Sequence, residues 1–448
     1  IVIWSVGNEI GAGQNAEACA EYLRSRRDSK PVQYHALNSA DQAFISCGYP
    51  NLFRMEKTLA ASKGKQQPIL LIEYAHAMGN GPGNLEHIWD FVLKNPEFSG
   101  GYVWEFRSHG MRRENEDSTV DYLYGGDFHD DNHWSNFTID GFLTSNGTPK
   151  PTFTELKYVY APICFSYEKG RLTLYNTRDF TDTSEMLLEA EVLCDAQLHQ
   201  KITIPMPAIA PRSQKTIELP LTYSGHDCAL TLRIIENQNT VALKQFPLPG
   251  NRQKTPLPSV KQTAVCTWEQ DAVSVTGEQF VIRWKNGVPV FYQKDDITYF
   301  DRPMQFVTYR AETDNDGIVG LYPRWIKSWE QQRLHKMRFF TQKTSVVQEE
   351  TQVTVKTNGI LTADHCFTGF TVDAHYTVSH NGLLRVCLTV KPYGQMPMMW
   401  EYGSIGKDET LTPRLPRFGV CFALNKNFDT VRWFGRGPEQ NYTDSIAA

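Results

Sequence analysis

The sequence has little of what would assign a small chain to a class at once. Nine cysteines are spread from Cys19 to Cys421 with no CxxC pair and no regular spacing. That excludes a disulfide framework and a thiolate zinc site, and it fits a reducing compartment, the cytoplasm. No run of about 18 apolar residues occurs, so no transmembrane helix is expected. Charge of one sign is also missing. With 45 Lys and Arg against 50 Asp and Glu, the net charge is −5, which gives no basic field for nucleic acid or a membrane surface. The chain opens on Ile1-Val2-Ile3-Trp4, an apolar strand-like run with neither an initiating methionine nor a charged leader, and it reads as the interior of a longer protein.

What is present points to a multidomain globular chain. A length of 448 residues exceeds what one core usually organises, so two or three domains are expected. Aromatic residues make up 12% of the chain, mostly as core, though such a share also suits sugar-stacking surfaces.

Residues 1–160 alternate short apolar runs with helical spacing, the pattern of βα units on a parallel sheet. Strands are expected at 1–6, 31–35, 43–49, 69–74 and 101–106. Ala16, Cys19, Ala20 and Leu23 recur at helical spacing, as do Leu85, Ile88, Trp89 and Val92, and each face should pack on the sheet. A (β/α)8 TIM barrel needs about 250 residues; this stretch supplies about its last five strands. After a helix near 153–160, residues 161–250 alternate as an immunoglobulin-like β-sandwich, with Leu172/Leu174, Ile202/Ile204/Met206 and Leu230/Leu232/Ile234 inward. Residues 251–260 read as a linker. Residues 261–448 form a second all-β region, expected to be an incomplete large β-sandwich. There Asn286-Gly287, Asn358-Gly359 and Asn381-Gly382 are hairpin-turn signals.

Two segments share one layout, Ile1 to Glu9 and Pro68 to Tyr74. In each, a buried-type strand delivers a glutamate at its carboxyl end, the face on which barrel enzymes build their sites. A lone glutamate after a strand is ordinarily a solvated one. Two in one half-barrel, the first preceded by Gly7-Asn8 and followed by Gly11 and Gly13, make the pair that glycoside hydrolysis requires. One carboxyl protonates the leaving oxygen and the other, ionised, attacks the anomeric carbon, with the two roughly 5–5.5 Å apart in a retaining enzyme.

Ser5-Val6-Gly7-Asn8-Glu9 resembles the acid/base segment of glycoside hydrolase family two. Ile72-Glu73-Tyr74-Ala75-His76-Ala77-Met78-Gly79-Asn80 resembles the nucleophile segment of its β-galactosidase branch. The likeness extends through Tyr124-Gly125-Gly126-Asp127-Phe128, Arg310 to Gly317 and Trp433 to Pro438, with a flavour closest to the evolved-type β-galactosidases. It implies retaining hydrolysis of terminal β-D-galactosides such as lactose, with Glu73 as nucleophile, Glu9 as general acid/base and a homo-oligomer in the full-length protein. It implies that Asn8 bonds the sugar 2-hydroxyl and that Tyr49 donates to the nucleophile, although a strand-end tyrosine bonding main chain fits the residue as well. It further implies that His76 reaches sugar hydroxyls and that Trp104, otherwise a core residue, faces the galactose ring. Mg2+ would be held partly by Glu9, its other ligands lying upstream. Na+ would be held by the Phe137 carbonyl and the Asp140 side chain, where many relatives place asparagine. Trp104-Glu105-Phe106 departs from the family pattern, in which a second tryptophan is common at the third position. A glucuronidase or mannosidase of the same family, or a catalytically incomplete carbohydrate-binding fragment, are the rival readings. An open barrel of five strands would expose two sheet edges.

Overall fold

The computed structural model describes residues 2–8, 10–11, 13–26, 29–33, 42–250, 264–316, 329–394, 415–431, 442 and 444–445. The chain divides into two compact units, residues 1–253 with 434–448, and residues 254–433.

The first unit begins with β1 (Trp4–Ser5), α1 (Gln14–Ser25), β2 (Val32–Gln33), β3 (Ile45–Gly48), α2 (Leu52–Ser62), β4 (Ile69–Tyr74), α3 (Leu85–Lys94) and β5 (Phe98–Val103). β1 pairs with β2, and β3, β4 and β5 form a second sheet in that order, every pairing parallel. These are the five parallel strands expected of the last part of a barrel. Between β2 and β3 a side chain does much of the bridging: Gln33 Nε2 donates to Ser46 Oγ at 2.7 Å, and Gln33 Oε1 accepts from the Phe44 amide at 3.0 Å.

The helices follow local chemistry. The Asn51 side chain caps α2 by accepting from the Arg54 amide at 2.8 Å, satisfying one orphan donor of the first turn. α3 buries Leu85, Ile88 and Val92 as their spacing requires. α1 buries Ala16 and Ala20 but leaves Cys19 exposed, so the expected packing face is narrower by that residue. The strand expected at 101–106 starts earlier, at Phe98, because Phe98 enters the core opposite Ile69. α2 and a hairpin of β6 (Met111–Glu114) with β7 (Val120–Leu123) had no distinct sequence signal.

A helix, α4 (Pro151–Val159), opens with proline at its first position, where the missing N–H costs nothing. The sandwich follows as β8 (Ile163–Glu168), β9 (Arg171–Asn176), β10 (Leu187–Cys194), β11 (Gln197–Pro205), β12 (Gln214–Glu218), β13 (Cys228–Glu236) and β14 (Asn239–Leu248). Its sheets run β12-β9-β8 and β11-β10-β13-β14, the four-plus-three division of an immunoglobulin-like sandwich. Leu172, Leu174, Met206, Leu230, Leu232 and Ile234 lie in the core between them, as their alternation predicts.

The second unit holds an antiparallel meander of β15 (Val265–Glu269), β16 (Ala272–Thr276), β17 (Phe280–Lys285), β18 (Val288–Lys294) and β19 (Ile297–Phe300). After β20 (Gln305–Val307) comes a four-stranded meander of β21 (Arg338–Gln348), β22 (Gln352–Thr362), β23 (Gly369–Ser379) and β24 (Leu384–Tyr393). β25 (Gly419–Cys421) then pairs with β20. Asn286 and Gly287 have φ of 49° and 72° and join β17 to β18, the geometry an Asn-Gly hairpin demands. Gly382 turns the chain between β23 and β24 with φ of 81°.

Asn358-Gly359 is no hairpin. It lies inside β22, paired with Asp373 and Val372 of β23, beside the irregularity of β21 between Thr341 and Lys343. A Cβ at 359 would stand 2.5 Å from the Phe340 carbonyl oxygen, so the glycine serves a close strand approach there.

Candidate active site

β4 carries one residue more than both of its neighbours just where Glu73 stands. Leu71 pairs with Cys47 and Glu73 with the very next residue, Gly48. On the other side Leu71 pairs with Gly101 and Tyr74 with Val103. An extra residue reverses the in-out alternation of a strand. Leu71 and Tyr74 therefore both enter the core beneath the helices, with Met55, Leu85 and Leu156. Leu70 and Ile72 line a cavity of about 270 Å³ shared with Ser5, Asn8, Gln33 and Tyr102. Glu73 is 9% exposed at the carboxyl end of this strand.

Glu9 lies outside the described residues, and with it the Glu9–Glu73 carboxyl separation. Trp433 to Pro438 and the segment after Asp316 lie outside them too. Asn8 is exposed and borders the cavity.

Tyr49 follows β3, and its main-chain N–H donates to the Glu73 carbonyl at 2.7 Å. That bond is held with Tyr49 at φ of 41°, a left-handed conformation that a tyrosine adopts only when its surroundings impose it. Its ring lies 6.3 Å from that of His76, edge to face. His76 in turn lies 5.5 Å from the Phe137 ring and places Nε2 3.3 Å from Asp140 Oδ2. That contact is near enough for charge attraction but off the line of a good hydrogen bond. Four residues expected separately from the sequence, Tyr49, His76, Phe137 and Asp140, are thus one cluster. Trp104 follows β5, half-buried, its amide donating to the Tyr74 carbonyl at 2.7 Å.

The cluster also recruits Glu105, which had been noted only as part of an unusual tripeptide. Burial, and then the hydrogen bond and charge of Asp140, push the Glu105 carboxyl up to about 8. For Asp140, 2% exposed, burial opposes ionisation. The polar contacts of His76 and Glu105 outweigh it and hold the carboxyl below its ordinary value. The proton of this carboxyl pair therefore resides on Glu105, whose Oε2 also meets His109 Nε2 at 2.8 Å. The pairing joins residues 35 positions apart and had no local signal.

Asp140 Oδ1 is buried and meets no N–H or hydroxyl donor among the described residues. A carboxylate oxygen left so is a fitting ligand for a hard cation. Lys150 Nζ approaches the same loops, donating to the carbonyls of Ala77 at 3.2 Å and Ile139 at 3.4 Å. No group of three or more His, Cys, Asp and Glu among the described residues has the geometry to hold a metal ion by itself. No helix among the described residues is long and apolar enough to cross a membrane.

Comparison with known sequences gives three matches in chain order. Residues 1–165 match the TIM barrel domain of glycosyl hydrolases family 2, residues 172–249 match β-galactosidase domain 4, and residues 275–448 match the β-galactosidase small chain. A β-galactosidase of Vibrio cholerae is 28% identical over 487 residues, covering 100% of this chain and 44% of that protein. The β-galactosidase of Kluyveromyces lactis is 28% identical over 469 residues, covering 99% and 42%, and that of Priestia megaterium is 28% identical with the same coverage. The chain therefore spans less than half the length of the curated relatives it matches. A solved family 2 member from Bacteroides cellulosilyticus covers 87% of this chain and 48% of its own at 9% identity and a TM-score of 0.26.

Proposed function

We propose, from the premise of a chain belonging to glycosyl hydrolases family 2, that these residues are the downstream part of a longer retaining β-galactosidase. Glu73 is its nucleophile and Glu9 its general acid/base. The observation that carries the reading is the nearly buried Glu73 at the carboxyl end of β4, where the strand carries an extra residue.

In this reading Glu73 attacks the anomeric carbon of a terminal β-galactoside such as lactose while Glu9 protonates the departing oxygen. A galactosyl ester then forms on Glu73, and water, deprotonated by Glu9, releases the sugar with retention. Asn8 bonds the 2-hydroxyl, a contact that strengthens as the oxocarbenium character grows. Tyr49 steadies the nucleophile, His76 binds hydroxyls from the Asp140 side, and Trp104 offers an aromatic face. Na+ would be held by the Phe137 carbonyl and Asp140, and would supply a positive charge there to balance the carboxylate. The burial of Asp140 Oδ1, which receives no N–H among the described residues, supports that assignment. Mg2+ would use Glu9.

Trapping tests the nucleophile. The full-length protein treated with a 2-deoxy-2-fluoro-β-galactoside that carries a good leaving group should gain one sugar on the peptide containing Glu73. A label on another carboxylate, or none while the enzyme turns over galactosides, would overturn the assignment.

The rival of a catalytically incomplete fragment is favoured for the 448 residues alone by their share of the relatives' length. Galactosidase assay of this polypeptide beside the full-length protein separates the two, and a panel of nitrophenyl glycosides separates galactoside from glucuronide or mannoside specificity.

A further inference from the structure

Two cysteines of the β-sandwich face each other across a sheet. Cys194 ends β10, Cys228 begins β13, and the antiparallel register sets them directly opposite. Each is 6% exposed, and their Sγ atoms are 2.6 Å apart, roughly half an ångström beyond the length of a disulfide bond. Directly opposite residues of an antiparallel ladder hold their Cα atoms about 4.5–5.5 Å apart, inside the roughly 4.4–6.8 Å that disulfides span. The bridge therefore needs no backbone movement. All nine cysteines are free, and among the described residues no second pair of cysteine sulfurs is in contact.

The surroundings hold this arrangement. The Asp195 amide donates to the Asp227 carbonyl at 2.9 Å, and the Asp195 carboxylate accepts from the amides of His226 and Asp227 at 3.2 and 3.0 Å. The two strand ends are thereby pinned beside the sulfurs. The chain before β13 passes so close that a Cβ at Gly225 would stand 2.8 Å from Cys194 Cβ and 3.3 Å from Cys228 Sγ.

We propose that Cys194 and Cys228 form a redox modification site that closes to a cross-strand disulfide on exposure to a peroxide and reopens under a thiol reductant. One sulfur, as thiolate, attacks a peroxide oxygen. The O–O bond breaks, the departing hydroxide takes up the proton given by the thiol, and water and a sulfenic acid result. The second sulfur then displaces the sulfenic oxygen, which leaves as a second water with the remaining thiol proton. Two electrons pass from the sulfurs to the peroxide. Burial first, then the hydrogen bond to Cys194 and the nearby charges, push the Cys228 thiol up to about 11. Cys228 thus rests as the thiol, and oxidation is slow, under sustained rather than passing oxidant. Once closed, the bond ties β10 to β13 around the β11–β12 segment, restricting the unfolded chain.

The test uses the full chain. Protein is treated with hydrogen peroxide, free thiols are alkylated in denaturant, and tryptic peptides are mapped without reduction. Trypsin cuts at Lys201, Arg212 and Lys215 between the two cysteines, so a bridge appears as a linked peptide pair two hydrogens lighter than its parts. The expected result is a Cys194–Cys228 link that dithiothreitol removes, that is lost in Cys194→Ser, and that raises the unfolding midpoint by several degrees. Full alkylation of both cysteines after peroxide, their conversion to sulfinic acids without a link, or bridging to other cysteines would overturn the proposal.

Discussion

β1 and β4 look alike as sequence, each an apolar run leading to a glutamate, yet they are unequal as structure. β4 is six residues long, lies between two parallel neighbours and is buried along almost its whole length. Among the described residues β1 is two residues long and pairs with β2 alone. Beneath β4 lies a cluster of fifteen buried apolar side chains; among the described residues, the apolar cluster beside β1 and β2 buries Ala16, Ala20 and Val32. Apolar pattern makes a segment competent to be a strand, and the packed face beneath it sets how firmly it is held.

The largest effect should come from the two glutamates themselves, which are equal in chemistry if not in setting. In the full-length protein Glu73→Gln should lower turnover of a nitrophenyl β-galactoside by at least about 10³-fold, since no covalent intermediate can form. Glu9→Gln should lose far less on that substrate, because nitrophenolate departs without a proton, and added azide should accelerate it by replacing the water that needs a base. Equal losses for both, or azide rescue of Glu73→Gln, would remove the division of roles between the two strands.

Truncation of one side chain from each strand comes next in size. Leu71 is fully buried, and Leu71→Ala should cost about 2–5 kcal/mol of unfolding free energy through the cavity it leaves. Val6 is only half-buried and packs on the small cluster beside β1, so Val6→Ala should cost about 1 kcal/mol or less. Denaturant titrations of both variants check the ranking. A Val6→Ala loss as large as that of Leu71→Ala would show that β1 is packed as firmly as β4.

Much of this fold is legible in the residues. The five parallel strands, the buried faces of α3 and the sandwich strands, and the glutamate at the end of β4 follow from periodicity and placement. Less legible is whatever depends on a partner strand. Asn-Gly at 286 is a hairpin and at 358 a mid-strand close approach, because only the irregularity of β21 distinguishes them. The extra residue of β4 is likewise invisible in Ile69 to Tyr74 taken alone, since a bulge exists only relative to the counts in β3 and β5. The Glu105–Asp140 pair is hidden for the same reason: burial and proximity set its protonation, and both are properties of the fold.

That pair gives the smallest and most discriminating effect. Glu105 sits just past the end of β5, the neighbour of β4, and has its carboxyl raised from 4.5 to about 8. Between these values the native state keeps a proton that the unfolded chain has released. Stability therefore falls as pH rises through that window and is regained on acidification. Asp140 shifts the other way, and its contribution is lost only as pH drops below the ordinary carboxylate range. Glu105→Gln keeps the shape and removes the titration. The wild-type unfolding midpoint should drop by about 1–3 °C more than the variant's between pH 5.5 and pH 8, a modest change because the Glu105 carboxyl is only partly withdrawn from solvent. Parallel midpoint curves for the two proteins would mean that the carboxyl at the end of β5 is ionised and solvated, as a strand-end glutamate ordinarily is. The contrast between the packed surroundings of β4 and the open ones of β1 would then stop at the apolar core.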